Sequence, residues 1–111
     1  MDKNTSERLQ QKLATMKEYT LVLLKAGPNI ENDNAQQKIW EHGARNLQLQ
    51  NEGLMPIICP IFDESELNGV AIFTTDEATT ESLMKDDPAI QEGIFVFEMH
   101  PCKSFPGDRL P

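Results

Sequence analysis

Two histidines, His42 and His100, and two cysteines, Cys59 and Cys102, are the side chains of this 111-residue chain best suited to chemistry near neutral pH. His42 lies in the stretch 40–60, WEHGARNLQLQNEGLMPIICP. Its imidazole, with a free pKa of about 6.5, can serve as a general base or acid. It can equally be a polar residue on a helix flank that bonds a neighbour. A histidine base needs a carboxylate to orient it, and Asp86-Asp87-Pro88 offers two. Asp-Pro is also an ordinary turn starter. Cys59, beside Pro60, reads either as a nucleophile or, more often for such a residue, as a small buried hydrophobe. Glu98 and His100 alternate on a strand and share a face, with Cys102 two residues on. That spacing does not assemble three ligands, so no metal is expected.

Composition bounds the rest. The length fits one domain with a sizeable core. A net charge of -8 argues against nucleic acid as a partner, because phosphate contacts need an excess of Lys and Arg. No apolar run approaches the roughly 18 residues of a membrane span, so no membrane partner is expected. The first residues lack the apolar core of a signal peptide. Together with two cysteines in no CxxC or metal spacing, this points to a reducing cytoplasm. There is neither a GxGxxG nor a P-loop, so no cofactor is expected.

The elements that must position these groups follow from periodicity. Residues 4–17 predict an amphipathic helix capped by Asn4, with Leu9, Leu13 and Met16 as a narrow apolar stripe that packs onto a finished domain. Residues 19–26, YTLVLLKA, predict a strand apolar on both faces, closed by Gly27-Pro28-Asn29. The main helix is expected over 33–52, capped by Asp33 or Asn34. Trp40, Ala44 and Leu47 share one of its faces, and Ile39, His42, Asn46 and Leu49 another. Gly43 is an unfavourable residue mid-helix, which a close backbone approach would explain. Residues 55–62 predict a strand that Pro56 and Pro60 push to an edge or bulge. A strand over 70–74 follows, then a helix over 76–85 that begins with a Thr74/Glu77 capping box and is stopped by Pro88. The last strand is expected over 94–100, and the tail is expected to be irregular. Trp40, Phe95 and Phe97 read as core or interface residues.

The order after the first helix is β-α-β-β-α-β, which predicts an α+β, ferredoxin-like antiparallel sheet with its two crossover helices on one side. Strands apolar on both faces leave the other side uncovered. A second copy of the same sheet is the simplest cover, so a homodimer is expected.

The chain resembles the YciI-like (YCII-related) proteins of the dimeric α/β barrel superfamily. The resemblance rests on TLVLLKAGP in the first strand, on His42 with Gly53 eleven residues later and Pro60 seven beyond that, and on Asp87-Pro88 followed by Gly93 and IFVFEMHP. It covers residues 19–101, so the domain reading is an N-terminal helical extension 1–18, a YciI-like domain 19–101 and an irregular tail 102–111. The resemblance implies a dimeric α/β barrel with a His–Asp site, here His42 and Asp87, and lyase, dehalogenating or isomerising chemistry on small ring compounds. Two departures sit beside that site: Cys59 stands where the family usually has Gly, and Gly43 where it usually has a large apolar residue. Gly43, Cys59 and Pro60 are therefore expected to contact the substrate. The resulting expectation is a small homodimeric enzyme that moves a proton on a small organic acid or ring compound. The alternative is a non-catalytic ligand-binding or regulatory dimeric module.

Overall fold

A strand with an apolar residue at every second position must bury that side, and Lys17–Ala26 shows the alternation: Thr20, Val22 and Leu24 are buried, while Leu21 and Leu23 are half-buried. The computed structural model, which describes all residues from Met1 to Pro111, places this strand in the middle of the sheet. In chain order the elements are α1 (Lys3–Leu13), β1 (Lys17–Ala26), α2 (Ala35–Asn51), β2 (Ile57–Pro60), β3 (Leu67–Phe73), α3 (Glu77–Lys85), α4 (Pro88–Gln91) and β4 (Phe95–Ser104). The four strands pair in the order β2-β3-β1-β4, each pair antiparallel. This is the ferredoxin-like α+β arrangement that the order of elements predicts.

The core lies on one side of the sheet. Val22, Phe73 and Phe95 meet Leu49 of α2, Met84 of α3 and Ala89 of α4 in a single buried cluster. The opposite parity carries Leu21, Leu23, Val70 and Ile72, which are half-buried and pair across β1 and β3. Leu49, His42 and Asn46 turn α2 toward the sheet, whereas Trp40 is 79% exposed and Leu47, 62% exposed, borders the cavity described below. Trp40 is therefore not a core residue.

Several boundaries differ from expectation, each for a local reason. Asp2 rather than Asn4 caps α1, its Oδ1 accepting the Thr5 N–H at 2.7 Å. Helix α1 stops at Leu13, and residues 17 and 18 belong to β1 rather than to an extension. No residue of α1 is buried, so it does not pack on the domain; its Lys12 pairs with Asp108 and lies over the Phe105 ring. Asp76 caps α3 through the Thr79 N–H, and the Thr74 hydroxyl goes instead to the Gly53 carbonyl. Strand β4 runs on through Pro101 to Ser104, so the irregular tail begins later than 102. An edge strand tolerates that proline, because β4 pairs only with β1. Likewise β2, with Pro60, is the opposite edge.

Gly27 has a structural cause. A Cβ there would lie 2.3 Å from the Gly93 carbonyl oxygen, where two turns cross and the Gly27 N–H bonds the Ile94 carbonyl at 2.8 Å. This crossing ties the end of β1 to the α4–β4 turn. Gly43 is different: a Cβ built on it would meet nothing within 4 Å, so no close approach explains it. Gly43→Ala is expected to stabilise the fold by about 1 kcal/mol through helix propensity alone. A rise of roughly 4–8 °C in the melting midpoint would show it.

Candidate functional site

His42 sits in the middle of α2, on the flank that faces the sheet and the short helix α4. Asp87 stands between α3 and α4. Pro88 at the first position of α4 holds Asp87 in an extended conformation, φ -74° and ψ 126°, which suits an N-cap. Its Oδ1 accepts the Ala89 N–H at 2.8 Å. Its Oδ2 lies 2.6 Å from His42 Nδ1. The two side chains are 13% and 1% exposed. One carboxylate thus caps a helix with one oxygen and meets the imidazole with the other.

An ionised carboxylate only accepts, so Nδ1 carries a proton and donates it. Asn46, one helical turn beyond His42, brings its Nδ2 to 3.1 Å from Nε2. An amide nitrogen only donates, so Nε2 accepts, and the ring is the neutral Nδ1–H tautomer. The edge of the ring meets Phe95, with centroids 5.2 Å apart and planes at 61°. Behind the pair, Arg45 Nη1 is 3.8 Å from Asp87 Oδ2, buried and without a hydrogen-bond partner. It acts on the carboxylate through its charge. Burial pushes the Asp87 carboxyl up, but the His42 hydrogen bond, the positive charge of that ring when it is protonated, the Ala89 N–H and Arg45 together outweigh it and hold the group below 3.8.

A cavity of about 460 Å³ opens between α2 and the β2–β3 edge of the sheet. His42 and Asn46 are in its wall, and so are Gly43, Cys59 and Pro60. The wall is mostly apolar and contains no Lys, Arg, Asp or Glu. Asp87 is not in the wall but lies behind His42. Asp86 is the exposed C-cap of α3 and takes no part in the pair. Cys59 is exposed at the sheet edge, so it is not a buried hydrophobe. On the β4 strand, His100 Nε2 and Glu98 Oε2 are 2.6 Å apart and Lys25 Nζ holds the other Glu98 oxygen at 3.0 Å. No group of three or more His, Cys, Asp or Glu side chains is placed to hold a metal ion. Arg45 and Asn46 follow His42 by three and four residues. That helical spacing is the signal by which a sequence reading could have brought both to the site.

No family model matches the chain, and no curated protein matches it. Among solved structures it is similar to the 5-chloro-2-hydroxyhydroquinone dehydrochlorinase of Burkholderia phenoliruptrix AC1100, solved in complex with 2,5-dihydroxybenzoquinone. The TM-score is 0.51 and the identity 17%, over 74% of this chain and 90% of that one. The likeness is one of fold: it shows a shared α+β arrangement and nothing finer.

The dual use of Asp87 has a measurable consequence. Asp87→Ala removes a helix cap and leaves His42 Nδ1 and Arg45 facing no acceptor, so it should cost about 3–5 kcal/mol in chemical unfolding. Asp87→Asn keeps an oxygen for the Ala89 N–H and should cost less. The folded Asp87 carboxyl is depressed below 3.8, so it stabilises the fold fully above the unfolded value. That stability drains away as pH falls from there through the lower folded value. Wild type should therefore lose more stability than Asp87→Asn on going from about pH 5 to pH 3. Parallel acid limbs for the two proteins would contradict this.

Proposed function

We propose that this protein is a small homodimeric enzyme of the YciI-like type in which His42 is the proton-transfer group and Asp87 holds it. The observation that carries the reading is the 2.6 Å contact of His42 Nδ1 with a carboxylate only 1% exposed, with Nε2 left toward a mostly apolar cavity. In the proposed reaction Nε2 takes a proton from the substrate. The electron pair left behind shifts a double bond or expels a leaving group, and Asp87 stabilises the imidazolium through Nδ1–H. A cavity of this size has room for a ring compound. A wall without a formal cation has nothing to neutralise a carboxylate. A neutral ring compound thus fits better than an organic acid. The dehydrochlorinase of similar fold was solved with a ring compound, 2,5-dihydroxybenzoquinone, which supports a ring as the ligand class here. Gly43, Cys59 and Pro60 would contact the ring from the cavity wall. Two free cysteines support a cytoplasmic setting.

The test is turnover of substituted and halogenated hydroquinones and cyclic enones, read as halide release or deuterium uptake from solvent. Activity should fall by roughly 10²–10⁴ in His42→Ala. Its stability should fall too, by about 1–3 kcal/mol, because Asp87 loses its hydrogen-bonded partner. A pocket-edge histidine without a buried partner would show the first loss and not the second. Ring compounds that bind in the cavity but are never turned over, with or without His42, would favour the non-catalytic binding module instead.

The sheet supports the homodimer of this reading. Leu21, Leu23, Val70 and Ile72 lie on the face that no helix of this chain covers. A second sheet packed there would bury them. Sedimentation at micromolar concentration is expected to give twice the chain mass, and a monomer would reject the barrel assembly.

A further inference from the structure

We infer that Asn46 is a ligand-contacting residue that, with His42, holds a single hydroxyl oxygen and the oxyanion it becomes. The inference rests on the reading of the cavity as a proton-transfer site and names the second polar contact there.

The cavity wall is mostly apolar; of its polar side chains, Asn68 donates its Nδ2 to the Glu66 carbonyl, while Asn46 Nδ2 meets His42 Nε2 at 3.1 Å. Nδ1 is committed to Asp87. Nε2 has one in-plane lone pair, so a proton can reach it from one direction only. The Asn46 amide occupies that direction. An incoming hydroxyl must therefore take the place of the Asn46 nitrogen on Nε2. Asn46 lies one helical turn from His42, so its displaced amide stays beside the same oxygen.

The hydroxyl then donates to Nε2 and accepts from Asn46 Nδ2. When the proton moves, the O–H bond breaks and the Nε2–H bond forms. The electron pair stays on oxygen as an oxyanion, and the ring becomes imidazolium with Asp87 as its counter-charge. The oxyanion is left with two donors, Nε2–H and Nδ2–H, in a wall without other charge. Hydrogen bonds to an ion are stronger than those to a neutral hydroxyl, so the Asn46 contact tightens as charge develops. The ligand class is a neutral ring carrying an acidic hydroxyl, a phenol or an enol. An ether of the same shape lacks the proton and makes neither gain.

The probes are 4-nitrophenol, whose ionised form absorbs in the visible, and 4-nitroanisole, its methyl ether. Wild type should bind 4-nitrophenol more tightly than the ether and raise its ionised fraction above that of the free compound at the same pH. Asn46→Leu should weaken 4-nitrophenol by about ten-fold or more and lower the bound ionised fraction, with 4-nitroanisole unchanged. Asn46→Asp, which keeps the shape and repels an oxyanion, should do the same and serves if the leucine variant fails to fold. Equal loss for both compounds would show a merely structural residue and overturn the inference. So would binding of 4-nitrophenol that ignores both substitutions; the cavity reading would survive either result. Failure of wild type to bind either compound would overturn the inference and the cavity reading together.

Discussion

The structure depends on one buried carboxylate that must be satisfied. Asp87 is 1% exposed, and an uncompensated charge in such a place would be prohibitive. It is compensated by three groups on two helices. Helix α4 supplies the Ala89 N–H, α2 supplies His42 Nδ1, and Arg45, also on α2, supplies a guanidinium nitrogen at 3.8 Å. These contacts fix how α2 and α4 pack against each other. They also fix the tautomer of the imidazole, and through it the character of the nitrogen presented to the cavity. The helix cap and the candidate chemistry share one side chain, so neither can change without the other.

The sheet explains why there is a cavity to present it to. The helices gather their buried residues toward β1, β4 and the end of β3, with Phe73 and Ile94 fully enclosed. Strand β2 is four residues long and ends in Pro60, which has no N–H to continue a ladder. At that edge α2 carries Gly43, with open space where a side chain would stand. A short edge strand and a missing side chain together leave the gap between α2 and the β2–β3 edge unfilled. Further along, Gly27 and Gly93 let two turns cross at backbone distance. That crossing holds the start of β4, and with it Phe95, against the His42 ring.

Much of this is legible in the residues. The strands alternate clearly, Pro88 marks the end of α3, and His42 and Asp87 are the groups whose types suit a proton-transfer pair. What escapes is what tertiary context decides. Helix α4 is four residues, PAIQ, too short to show a period. β4 passes through Pro101 to Ser104 because it is an edge, which a single sequence does not display. Helix α2 has apolar residues on two faces, and nothing local says that Trp40 faces out while Leu49 faces in. The stripe of α1 suggests packing, yet Leu9 and Leu13 remain exposed. Arg45 and Asn46 are ordinary helix-surface residues until the sheet and α4 close around them.

The charge of the protein and the polarity of its site run in opposite directions, and the order of groups reconciles them. The surface is strongly acidic, with a net charge of -8, but no acidic residue lines the cavity. From the cavity inward the groups are an apolar wall, a neutral amide and imidazole, then a carboxylate, and behind it a guanidinium. A ligand in the cavity therefore meets a neutral nitrogen acceptor rather than an anion. The carboxylate that would stabilise a protonated ring is one hydrogen bond behind it and shielded from solvent. Such an order favours moving a proton from a neutral ligand onto His42. The positive charge formed is balanced by Asp87 on the far side, and the negative charge formed stays beside donors on the near side. An exposed aspartate in the wall would repel that negative charge. Placing it behind the ring, where it also caps α4, keeps its field on the imidazole.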